Sequence, residues 1–101
     1  MYFARMVTLT SANTNYTLRT LLSGVTHLPL TVASVTLQVP ETNTNDVARG
    51  DSSMSSMTTG KTLHPGDSET IEPAEGVLDL GRMTVRSDGA GQKLFVEGWT
   101  R

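Results

Sequence analysis

Thr58-Thr59-Gly60-Lys61-Thr62-Leu63, Pro65-Gly66-Asp67, Ser68-Glu69-Thr70-Ile71, Val77-Leu78-Asp79-Leu80, Met83-Thr84-Val85-Arg86 and Lys93-Leu94-Phe95-Val96-Glu97-Gly98-Trp99 follow one another between positions 58 and 99. Each apolar or β-branched run is four to seven residues long and is stopped by Gly, Pro, Asp or Ser, as in the loop Ser87-Asp88-Gly89-Ala90-Gly91. Short strands at this spacing predict an antiparallel β-sandwich or barrel. Residues 58–99 are the best-defined strand-turn unit, and the rest of the chain reads as an attachment to it.

Working back toward the start, Thr31 to Val39 reads as one strand. Val35, Leu37 and Val39 alternate with Ser34, Thr36 and Gln38, which suits a strand with one wet face, and Pro40 stops it. Glu41 to Asp46 is made of turn formers. Val47 to Ser56 reads as a further strand or an irregular edge, its register poorly specified by the serines. Leu18, Leu21 and Leu22 stand at helical spacing with Gly24 after them. They predict a short helix over Tyr16 to Ser23, capped by Thr14 or Asn15. A strand is the alternative there, since Thr17 and Thr20 are β-branched. Residues 1–10 form an N-terminal arm or a first strand, with Val7 and Leu9 alternating against Thr8 and Thr10. The expected fold is a single all-β domain over 1–101, mainly antiparallel, with at most one short helix near residues 16–23.

The core of such a domain is thin. Of 101 residues 37% are hydrophobic and 5% aromatic, which is less than a globular domain usually carries. Such a chain gains apolar burial from a partner subunit, so a homo-oligomer is expected. The net charge of −2, with no basic run, argues against binding nucleic acid through phosphate neutralisation. Absence of cysteine removes thiol chemistry and disulfides. No stretch has the length of a membrane span, and Met1 to Met6 lacks the apolar core of a signal peptide, so the expectation is a soluble protein made in the cytoplasm.

Several short motifs have structural explanations. Gly60-Lys61-Thr62 matches the end of a phosphate-binding loop, but Ser55 stands where that loop needs a glycine. Arg49-Gly50-Asp51 matches an adhesion tripeptide, but a turn with glycine at positive φ is the better explanation. Asn15-Tyr16-Thr17 fits a glycosylation acceptor and is read instead as a helix start. His27 and His64 lack a second ligand at metal-site spacing and read as exposed loop residues. The serines from Ser52 to Ser56 lack the glycines of a nucleophile elbow. Nothing here points to catalysis, and neither a metal nor a cofactor is expected.

Val7-Thr8-Leu9-Thr10, the run from Asn13 to Leu22, Val35 to Gln38, Gly50-Asp51-Ser52, Gly60 to Ser68, Leu78-Asp79-Leu80, Val85-Arg86 and Leu94 to Trp99 carry a further likeness. Together they resemble the small virion structural proteins of tailed bacteriophages, the head-decoration or capsid-stabilising class. The resemblance implies a β-sandwich or barrel that assembles, as a trimer, on the surface of an icosahedral head made in a bacterial host. Its partners would be copies of itself and the major capsid protein. Tyr2, Phe3 and Met6 are candidate lattice or subunit contacts, with coverage of the chain's own sheet as the other reading of the same residues. A receptor- or glycan-binding module of a tail or fibre is the competing function, with Tyr2, Tyr16 and Trp99 as the available aromatic platforms.

Overall fold

The computed structural model describes residues 1–73 and 75–100. Among the described residues there are ten strands: β1 (Tyr2–Leu9), β2 (Tyr16–Thr17), β3 (Thr31–Val32), β4 (Ser34–Gln38), β5 (Val47–Gly50), β6 (Lys61–Leu63), β7 (Ser68–Ile71), β8 (Leu78–Asp79), β9 (Thr84–Ser87) and β10 (Gln92–Trp99). One turn of helix, α1 (Leu18–Leu21), follows β2, and a 3-10 turn covers Met57–Thr59. The expectation of an all-β antiparallel fold holds. A first sheet has the order β1-β10-β4-β7, a second the order β2-β9-β5-β6, and β3 pairs with β8 in a small third.

The two larger sheets share one core because alternate residues of each point inward. Leu94 and Val96 of β10, Val7 and Leu9 of β1, and Val35 and Leu37 of β4 are buried on one side. Val47, Leu63 and Val85 meet them from the other. Leu18 and Leu22 close one end of the space between the sheets, beside Leu80 and Val32. The largest fully buried side chains among the described residues are leucines and valines, with Phe3 buried among them and Tyr16 packed against the core from its margin. Gly98 makes room for the Phe3 ring, since a Cβ there would lie 2.6 Å from Phe3 Cζ.

The elements depart from sequence expectation in identifiable ways. The first strand starts at Tyr2, because β1 pairs with β10 without interruption from Tyr2↔Trp99 to Leu9↔Gln92. Thr31 to Val39 is split at Ala33: Val32 pairs with Leu78, while the Ala33 N–H donates to Trp99 O at 2.7 Å and begins the pairing with β10. The break falls where the alternation fails, at Val32-Ala33. Tyr16 and Thr17 are held as strand by Val85 and Thr84, so the helix starts late, and Thr17 rather than Thr14 or Asn15 caps it. Its Oγ1 accepts from the Thr20 N–H at 3.2 Å. Val47 to Ser56 is strand only to Gly50. Asp51 then takes the chain into a turn through the Ser53 N–H, 2.9 Å from its carboxylate. Gly50 lacks the positive φ expected of it, and the glycines that need that conformation are Gly66, Gly76 and Gly91.

The connection after β5 lies across the outer face of the second sheet. Met54 is buried there, with its sulfur beside Gly50 and Gly60. Asn15 Nδ2 donates to Met54 O at 2.6 Å, and Arg86 Nη1 donates to Asn15 Oδ1 at 3.1 Å. Asn15 is therefore a clamp between two loops and a strand, and it does not start the helix. Gln92 fixes the Glu41–Asp46 loop in the same way. Its buried Oε1 accepts from the Thr44 and Asn45 N–H groups, each at 3.0 Å, so two loop donors depend on one amide.

Candidate functional site

The outer face of the first sheet carries Tyr2, Met6 and Trp99, three of the large exposed hydrophobic side chains, while Leu30 and Val77 are exposed elsewhere. Even-numbered residues of β1 and odd-numbered residues of β10 share that face, and the register sets Tyr2 against Trp99, Ala4 against Glu97, Met6 against Phe95 and Thr8 against Lys93. Tyr2 and Trp99 are 46% and 55% exposed, with ring centroids 4.3 Å apart and planes tilted by 44°. That offset geometry suits aromatic quadrupoles. The Tyr2 hydroxyl donates to Glu97 Oε2 at 2.7 Å. This bond to the carboxylate, first, and the proximity of its charge raise the phenol above its ordinary pKa, because ionisation would place two anions side by side.

The neighbouring strands add a polar half to the face. Ser34, Thr36 and Gln38 of β4 continue the rows of Trp99, Glu97 and Phe95. Thr36 Oγ1 lies 2.8 Å from Thr70 Oγ1 on β7, the next strand. The face is thus aromatic along β1 and β10 and hydroxyl-bearing along β4 and β7. Such a face can take apolar area from a partner and hydrogen-bond the partner's polar rim.

A concavity of about 490 Å³ lies apart from that face. Arg49, Lys61, Arg82, Asp51 and Ser53 line it, with Ile71, Leu78 and Met83 beneath. Its charges are mostly committed within the fold. Glu69 points inward from β7 and binds two cations of the opposite sheet, those of β5 and β6: Arg49 Nε to Oε1 at 2.5 Å, Arg49 Nη2 to Oε2 at 3.0 Å, and Lys61 Nζ to Oε2. The Arg49 guanidinium foremost, helped by the Lys61 ammonium, holds the Glu69 carboxyl down at about 2. Asp51 is held below the usual carboxylate range by the Ser53 hydroxyl and N–H. Arg49-Gly50-Asp51 is thus the end of a strand and the start of a tight turn, not a loop presenting opposite charges. Gly60 is extended, and a Cβ there would lie 2.6 Å from Arg49 O, so the glycine serves close backbone approach. Among the described residues, no group of three or more His, Asp or Glu side chains could hold a metal ion. His64 lies exposed with Nδ1 2.9 Å from Asp46 Oδ1, whose hydrogen bond raises its pKa, and His27 is exposed in another loop at φ 57°.

Tyr2 and Met6 stand together on the exposed face, as a contact role requires. Phe3 does not: it is 5% exposed and turned into the core, because neighbours along a strand point to opposite faces. Glu97, Phe95 and Trp99 complete the surface. Their alternation against Leu94 and Val96 was its signal in the sequence. The comparisons with known proteins add no relative: no family model, no curated protein and no solved structure matches the chain.

Proposed function

We propose that the protein is a structural subunit of a bacteriophage virion, of the head-decoration class, which binds the assembled capsid lattice through the outer face of β1 and β10. The observation that carries this reading is the exposed Tyr2–Trp99 ring pair, with Met6 two rungs further along the same face, because isolated exposed apolar residues are ordinary but grouped aromatic ones favour a partner surface. Stabilisation of the head then follows from mass action: a protein that binds the assembled lattice and not its free subunits shifts the equilibrium toward the lattice. The partners are the major capsid protein and further copies of this chain.

Co-sedimentation with expanded phage heads tests the reading. Trp99→Ala should weaken binding by about thirtyfold or more, the loss expected of an interface anchor worth at least about 2 kcal/mol. Folding should be little affected, since the side chain is more than half exposed. Wild-type protein that fails to co-sediment with any head lattice would exclude the proposal.

A glycan-binding module of a tail or fibre is the second reading, favoured by the Tyr2–Trp99 pair standing directly beside the Glu97 carboxylate. Sugar rings stack their C–H faces on such aromatics and donate hydroxyls to such a carboxylate. Glycan-array signal that disappears in Trp99→Ala, without capsid binding, would select it.

A further inference from the structure

β1 is an edge strand of the first sheet, eight residues long. The Thr100 N–H donates to Met1 O at 2.9 Å, which makes Met1 and Thr100 a hydrogen-bonded rung. Rungs alternate in an antiparallel pair. Phe3, Arg5, Val7 and Leu9 therefore spend their backbone groups on β10, while Tyr2, Ala4, Met6 and Thr8 turn theirs toward the outside. Among the described residues, no backbone group from Tyr2 to Thr8 has a hydrogen-bond partner beyond the β10 ladder.

The other three edges of the two sheets carry devices that discourage pairing. β2 has two residues, β6 has three and bears Lys61, and β7 has four with Glu69 pointing inward. β1 has none of that length restriction, no proline, and no bulge in its register. Its one charge, Arg5, is turned to its own chain, with Nη2 donating to Gly24 O at 3.3 Å.

We infer that β1 pairs with β1 of a second copy across a two-fold axis, joining two first sheets into one continuous eight-stranded sheet. Two-fold antiparallel pairing must use the outward groups of the even residues on both strands. Centring on Ala4 does so and sets Tyr2 of each copy against Met6 of the other, an aromatic–thioether pair that covers the strand's two large exposed side chains. Centring on Arg5 would set like charges against each other, which disfavours it. The pairing leaves both Tyr2–Trp99 faces on the same side of the joined sheet. It rests on the edge alone and not on the capsid reading, and it replaces the three-fold assembly that the family resemblance implies with a two-fold one.

Light scattering on the purified protein, without capsids, tests it together with three kinds of variant. Wild type should have twice the chain mass at micromolar concentration. Ala4→Pro removes an N–H that the chain's own sheet does not use, an edge position where proline is tolerated. It should weaken dimerisation about thirtyfold, as two lost backbone hydrogen bonds require. Should Ala4→Pro not fold, Met6→Lys at an exposed position serves the same purpose, and it too should weaken dimerisation, with an unchanged circular dichroism spectrum. Because the chain has no cysteine, Ala4→Cys should form an interchain disulfide on mild oxidation, since facing Cα atoms in such a rung are about 5.5 Å apart. Thr36→Cys, in the middle of the face, should not. A monomer at every concentration, a trimer, a dimer unmoved by Ala4→Pro and Met6→Lys, or cross-linking by Met6→Cys in place of Ala4→Cys would each overturn the inference. Loss of capsid binding in a protein that still dimerises would count against the proposed function only.

Discussion

Glu69→Gln removes the one negative charge between Arg49 and Lys61 while keeping the shape of the side chain. In the wild type both cations of β5 and β6 are tied to a carboxylate that leans in from the opposite sheet, with its side chain 13% exposed. A carboxyl held at about 2, against an ordinary 4.5, favours the folded state. At about 1.4 kcal/mol per pKa unit the difference is at most about 3.5 kcal/mol. Solvent at the mouth of the cleft reaches Lys61 and part of Arg49, and this screening brings the expected contribution to about 2 kcal/mol. The folded-state pKa is depressed, so the contribution is fully present above the unfolded value and is lost as pH falls through the folded one. Urea unfolding of both proteins should show the variant less stable by about 2 kcal/mol at pH 7, equivalent to about 10 °C in melting temperature for a domain of this size. The gap should narrow below about pH 5, be roughly halved near pH 3, and vanish below about pH 2, where wild-type Glu69 is protonated in both states. A gap that does not change with pH would refute the ion-pair account. Equal stabilities at pH 7 would mean that desolvation of the three charges cancels their attraction.

Two further outcomes follow from other parts of the fold. Gln92→Leu should cost about 2 to 3 kcal/mol, because the Thr44 and Asn45 N–H groups lose their acceptor in a partly buried loop, and hydrogen exchange of those two amides should accelerate. Ultraviolet titration of the two tyrosines should be biphasic. The Tyr16 phenol is lowered, chiefly by hydrogen bonds with the Thr10 hydroxyl and then Ser11, and Tyr2 is raised by Glu97. Glu97→Gln should bring the second phase down toward the ordinary tyrosine value, and an unchanged second phase would show that Tyr2 and Glu97 do not meet in solution.

The sequence by itself determined the class of fold and most strand positions, because strand periodicity and turn chemistry are local. Leu94 and Val96 alternate with Phe95 and Glu97, and Asp88 to Gly91 form a turn, although Ser87, read with that loop, is the last paired residue of β9. Tyr2, Phe3 and Met6 stood out together as candidates for contact, being apolar near one end, with nothing local to separate the buried one from the two exposed ones. What local pattern left open was decided by pairing between distant residues. Phe3 belongs to the core because β1 runs the full length of β10, and Gly98 admits its ring. The helix shrinks because β9 claims Tyr16 and Thr17 as strand. The loop motifs lose their apparent chemistry for the same reason: Glu69 reaches Arg49 across the sandwich, and Met54 closes over Gly50 and Gly60. Alternation tells which residues share a face, but only the order β1-β10-β4-β7 places Tyr2 beside Trp99, puts hydroxyls on the neighbouring strands, and leaves β1 at an edge.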